Sequence, residues 1–140
     1  MKTKQELLQK IDDDVIWRRR ELTYLRATIQ DAEKNPGRRS ALLRAGVALL
    51  YAHWEGFVKR CGTWYLEFVA NQGKKASELR PNFVAIKLMS RLIEASKSTK
   101  PSASAELVDY FCTRLDERIR IQHKGVIDTK SNLSSVVLHN

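Results

Sequence analysis

Apolar residues fall at Leu8, Ile11, Val15, Leu22, Leu25, Ile29 and Ala32 in alternating steps of three and four, with one slot missed and Arg18 standing in it. That is the stripe of one long amphipathic helix with a narrow a/d-like seam. Thr3 and Glu6, at capping-box spacing, predict its start, and Asn35-Pro36-Gly37 stops it after about Glu33. A rod of roughly 45 Å needs a partner of similar length. The segment from about Ser40 to Asn71, ahead of Gly73-Lys74-Lys75, supplies one. Its apolar residues, Leu42, Val47, Leu50, Trp54, Phe57, Leu66 and Val69 among them, surround the axis instead of marking one face, the pattern of a central helix. Gly46, Gly56 and Gly62 each lower its helix propensity by about 1 kcal/mol relative to Ala. Close approach of a neighbouring backbone is the expected compensation.

Pro81-Asn82 predicts the start of a third helix, with Phe83, Ile86, Leu88, Met89, Leu92 and Ile93 on its apolar side. The polar stretch Ser96 to Ser104 breaks the pattern. A fourth helix follows from about Ala105, carrying Leu107, Val108, Phe111, Leu115 and Ile119, and Gly125 with the Asp128 to Asn132 turn cluster closes that region. A fifth begins at Leu133, capped by Ser131 or Asn132 and carrying Val136 and Val137, and the chain stops about two turns into it. So short a helix is marginal unless something packs on it. The expectation is therefore one helical domain over residues 1–140, incomplete at its C-terminal end. Its fold class is all-α, an up-and-down bundle of four to five helices with the two long ones first. Only Ile119 to Ile127, with scattered β-branched residues, leaves room for extended structure.

Composition narrows the function classes. The 140 residues are 43% hydrophobic, enough to fill a core without disulfides or a structural metal. The longest uncharged apolar stretch, Ala45 to Trp54, is about half of what a membrane-spanning helix needs. The N-terminus runs into a mixed-charge helix with no apolar signal region, so the expected compartment is the cytoplasm. Cys61 and Cys112 have no CxxC context and read as free, buried structural thiols. With 25 Lys+Arg against 16 Asp+Glu the formal charge is +9, which permits a polyanionic partner such as RNA. Residues 1–39, 40–80 and 81–140 each contribute +3, so the excess marks no site.

Phosphate loops, dinucleotide fingerprints, HExxH and GxSxG are all missing from the sequence, and no metal or cofactor is expected. His53 and Glu55 form an HxE, but the PCxxC that a zinc deaminase adds is absent, and His53 reads as a hydrogen-bonded core histidine. His139 lies at the terminus. Arg118 and His123 are the weak catalytic candidates: on a helix, Arg-x4-His sets the side chains about a turn and a half apart, and such a pair can hold a phosphate and move a 2′-hydroxyl proton. Any basic helix offers such pairs by chance. Trp17-Arg18-Arg19-Arg20, and Lys59-Arg60 near Trp64-Tyr65, have the basic and aromatic make-up of a nucleic-acid contact. Glu21 and Asp12-Asp13-Asp14 beside them favour intramolecular pairing instead.

The run Arg44-Ala45-Gly46-Val47-Ala48-Leu49-Leu50-Tyr51-Ala52-His53-Trp54-Glu55-Gly56-Phe57-Val58-Lys59 resembles the signature helix of a bacterial HEPN-like nuclease family. Trp17 to Leu22, Tyr65 to Val69 and Gly125 to Leu133 fit the same family in the same order. The resemblance implies a dimerising helical bundle acting as a metal-independent endoribonuclease of toxin–antitoxin or antiphage systems. An Arg-polar-x3-His motif from each protomer would meet across the dimer cleft. In resembling proteins that motif reads RNxxxAHG and follows the stretch matching Ser131-Asn132-Leu133, and the present chain ends before it, so the expectation is a chain that lacks its catalytic motif and is inactive by itself. Arg118 and His123 have the spacing but carry Ile119 where a polar residue belongs, and they precede that stretch, so the catalytic role is not transferred to them. The competing reading is a non-catalytic dimerisation or protein-interaction module, or an antitoxin-type partner, with a homodimer or a helical protein as its partner.

Overall fold

The computed structural model describes residues 1–98 and 100–128, and these form an all-α chain of four helices, α1 (Lys4–Asp31), α2 (Pro36–Asn71), α3 (Pro81–Lys97) and α4 (Pro101–Thr113). The expected fifth helix from Leu133, its caps Ser131 and Asn132, and His139 lie outside the described residues. No described helix is long and apolar enough to cross a membrane.

Proline sets three of the four starts. Pro36, Pro81 and Pro101 are each the first residue of a helix, where a missing N–H is no loss and φ is already helical. At α2 the Asn35 Oδ1 accepts the Arg38 N–H at 3.0 Å, a side-chain cap. α2 thus begins four residues before the expected Ser40, and α4 four residues before Ala105, so most of the Ser96 to Ser104 stretch is helical. Gly73, with φ +61°, turns the chain away after α2, and a 3₁₀ turn, Ala76–Glu78, leads to α3.

The fourth helix is shorter at its other end than the apolar spacing predicted. α4 closes where the Arg114 N–H donates to the Tyr110 carbonyl at 2.9 Å, so Leu115 and Ile119 do not continue it. The chain instead runs extended past the loop after α2. The Ile119 N–H donates to Lys74 O at 3.1 Å, the Ala76 N–H to Glu117 O at 3.2 Å, and Lys75 and Arg118 form an isolated antiparallel bridge. Ile119 and Ile121 are both buried there, an inward alternation of period two that belongs to extended chain, not to a helix.

Two compact units divide the chain, with the boundary inside α2 between Gly62 and Thr63. One comprises Met1–Thr3 and Thr63–Val126. Its core is apolar: Leu66, Phe83, Val84, Leu88, Tyr110 and Ile121 are buried, and Tyr65 and Phe83 stack tilted at 6.0 Å. The Met1 ammonium pairs with Glu67 at 2.9 Å. Cys112 is exposed, against expectation, because α4 turns Ala103, Leu107 and Tyr110 inward and position 112 falls off that face.

The other unit comprises Lys4–Gly62 with Ile127 and Asp128. Here α1 and the first part of α2 form an antiparallel hairpin, as the pairings Asp14 with Arg60, Arg18 with His53 and Leu25 with Gly46 require. The inward stripe of α1 differs from the predicted one at two places: Leu7 takes the buried position expected of Leu8, and Asp14 joins the buried set beside Arg18. α2 is not buried all round, since Leu43, Val47, Leu50, Tyr51 and Trp54 are exposed. The helical glycines meet side chains, not a backbone. A Cβ at Gly46 would lie 3.3 Å from Leu25 Cδ2, at Gly56 3.1 Å from Arg18 Nη2, and at Gly62 3.0 Å from Ile127 Cγ1.

Candidate functional site

The residue that interrupts the α1 stripe organises the densest polar cluster described. Arg18 is 7% exposed, Asp14 3% and His53 6%. The i,i+4 spacing on α1 sets Asp14 Oδ2 against Arg18 Nε at 2.6 Å. Arg18 Nη1 crosses to α2 and donates to the His53 carbonyl at 2.7 Å and to His53 Nδ1 at 3.2 Å. An arginine can only donate. His53 Nδ1 therefore accepts, which leaves the neutral ring's proton on Nε2. That nitrogen lies 2.9 Å from Glu21 Oε2, at ion-pair distance, yet makes no hydrogen bond.

Asp14 is the hub on the other side. Its Oδ1 accepts from Arg60 Nη1 at 2.8 Å and from Trp17 Nε1 at 3.0 Å. Burial raises the Asp14 pKa, and the hydrogen bonds from Arg18, Trp17 and Arg60 more than offset it, so the carboxyl sits below its ordinary value. The Trp17 ring closes the cluster, 4.7 Å from the Arg18 guanidinium, 5.8 Å from that of Arg60 and 5.3 Å from the His53 ring. Gly56 leaves room for the guanidinium where a Cβ would crowd it.

Chemically, this arrangement is a lock. Arg18 is buried and commits Nε to Asp14 and Nη1 to His53, so it offers little to a phosphate. A slip of α1 along α2 would strand buried charges, at about 3–5 kcal/mol for an ion pair broken on one side. Of the other basic candidates, Arg60 is held by Asp14 and Lys59 by Glu55 at 2.7 Å. Arg19 and Arg20 are exposed and have no side-chain partner among the described residues. His53 thus is a hydrogen-bonded buried histidine, and Glu55 of the same HxE pairs with Lys59. No group of three His, Cys, Asp or Glu side chains that could hold a metal occurs among the described residues.

Arg118 and His123 do not share a helix. Arg118 is exposed in the bridge with Lys75, and His123 is half-buried in the irregular run that follows. The helical spacing that nominated them does not apply, and neither side chain has a partner among the described residues. Intramolecular pairing of the Asp12-Asp13-Asp14 run with the arginines was expected, but the burial of Asp14 at the centre of the cluster was not. The signal for it was the i,i+4 acid–base pair that Asp14 forms with the arginine in the missed slot.

A family model described as HEPN_MAE_28990-like HEPN matches residues 7–140. No curated protein and no solved structure matches the chain.

Proposed function

The chain belongs to the HEPN_MAE_28990-like HEPN family, and on that footing we propose that it is an RNA-directed domain of the endoribonuclease type, serving a toxin or antiphage system. The family match over residues 7–140 carries this reading. The net charge of +9 supplies a background attraction for RNA. In the proposed reaction an arginine steadies the scissile phosphate and a histidine moves the 2′-hydroxyl proton, without a metal. The reading gives Arg118 and His123 no part in it, since the helical spacing that nominated them does not hold: Arg118 lies in the bridge with Lys75 and His123 in the irregular run after it.

The test is binding and cleavage of a structured RNA in EDTA by the 140-residue chain, with Arg118→Ala and His123→Ala alongside. Binding should weaken linearly on a log–log salt plot, and any cleavage should survive both substitutions. Absence of salt-dependent binding would sink the RNA reading. Cleavage lost with His123→Ala would restore the pair as catalytic. A second reading, a protein-interaction module, is favoured by the apolar side chains that α2 leaves exposed.

A further inference from the structure

We propose that the groove between α1 and the first part of α2 docks an amphipathic α-helix of a partner protein, one whose apolar stripe is flanked by acidic residues. The inference goes beyond the ribonuclease reading and does not depend on it.

Two adjoining hollows form the groove, of about 190 and 470 Å³, and they share Leu22 and Leu50. Leu25 and Ile29 line it from α1, and Leu43 and Val47 from α2. Val47 is 72% and Leu50 56% exposed, an unusual cost for aliphatic side chains on consecutive turns of one face. From Leu43 to Phe57 the groove runs for roughly 21 Å, about four helical turns. A helix with anchors at i, i+3, i+4 and i+7 matches such a trough.

Charge selects the occupant. Arg19, Arg26 and Arg39 stand at the groove, exposed, and none has a side-chain partner among the described residues, while Glu33 is the acid among the groove's lining residues. A second copy of the chain, packed about a two-fold axis, would bring this basic rim toward itself. An RNA would meet an aliphatic floor with almost no hydrogen-bonding groups. An acidic-flanked helix satisfies both floor and rim.

The probe is a pair of synthetic helical peptides of about 16 residues with one leucine stripe, flanked by Glu in one and by Lys in the other, titrated against the full chain. The Glu peptide should bind, and the Lys peptide at least about tenfold more weakly, with the difference shrinking as salt screens the rim. Val47→Asp and Leu50→Asp, both at exposed positions, should each weaken the Glu peptide by about tenfold or more with helicity unchanged. The triple variant Arg19→Glu, Arg26→Glu, Arg39→Glu should reverse the preference. No binding of either peptide, or equal binding of both, overturns the proposal. So does displacement of the Glu peptide by RNA. A photo-crosslinker at position 47 of the peptide-free chain gives an independent check: capture of a second copy or of residues 129–140 overturns it, and efficient capture of the Glu peptide on addition supports it.

Discussion

The two units bury different kinds of side chain. Thr63–Val126 closes over Leu66, Phe83, Val84, Leu88, Ile119 and Ile121, whereas the α1/α2 hairpin buries Asp14, Arg18 and His53 with only Leu7 and Ala32 as buried apolar company. At the same time the hairpin leaves Tyr24, Leu43, Val47, Leu50 and Trp54 exposed. Apolar burial is additive and indifferent to small slips, while a buried ion pair adds little net stability and much register. One unit is held by its core. The other is aligned by a polar lock and leaves much of its apolar surface exposed.

That contrast breaks first under truncation. Leu88→Ala, at a side chain 1% exposed, should cost about 3 kcal/mol, while Leu50→Asn should stay within about 0.5 kcal/mol, both read from urea midpoints. Equal losses at the two positions would mean that the Leu50 face is covered in solution.

Asp14→Asn should cost about 3 kcal/mol, because Arg18 keeps its burial and loses its counter-charge. The same residue sets an acid limit. A carboxyl held below its ordinary value contributes stability above the unfolded value of about 3.9, and that contribution disappears as pH falls through the lower native value. Stability of the parent chain should therefore decline below about pH 4 more steeply than that of Asp14→Asn. Parallel pH profiles would remove Asp14 from the account. The double change Asp14→Leu with Arg18→Met should cost less than the sum of the singles, with a coupling of about 1–3 kcal/mol, since an apolar pair strands no charge.

These residues also mark how far the sequence could be read. The extent of α1, the stop at Asn35-Pro36-Gly37 and the hydrogen-bonded burial of His53 were all legible, because period, breakers and an apolar flank are local signals. The all-α class was legible too. The buried face of α1 was legible in outline, down to the slot held by Arg18, but a polarity pattern cannot show that Asp14 goes inward with it, since a charge is buried only when its partners converge from another helix. The serine-rich stretch before Ala105 misled because Pro101 at the first helical position outweighs the weak propensity of its neighbours. Ile119 misled for the opposite reason. It continues a helical spacing by chance, but pairing with Lys74 and Lys75 holds the chain extended. The β-branched residues from Ile119 to Ile127 were the local signal that left room for the extended outcome.

Glycine substitutions give the smallest and most discriminating test of the lock. Ala gains about 1 kcal/mol of helix propensity over Gly at an interior position, so the sign of the net effect depends on what the new methyl meets. At Gly46 it meets Leu25 Cδ2 at 3.3 Å, the tip of a half-buried side chain at the groove that can rotate away, and Gly46→Ala should stabilise by up to about 1 kcal/mol. At Gly56 the contact is Arg18 Nη2 at 3.1 Å. That group cannot yield freely, because Asp14 and both His53 acceptors fix the same guanidinium. Gly56→Ala should therefore lose its propensity gain and come out neutral to about 1 kcal/mol destabilising. In the Asp14→Asn background the guanidinium is less tightly held, so the Gly56→Ala penalty should shrink. An Ala at 56 that stabilises as much as one at 46 would show that Arg18 is not held where its bonds place it.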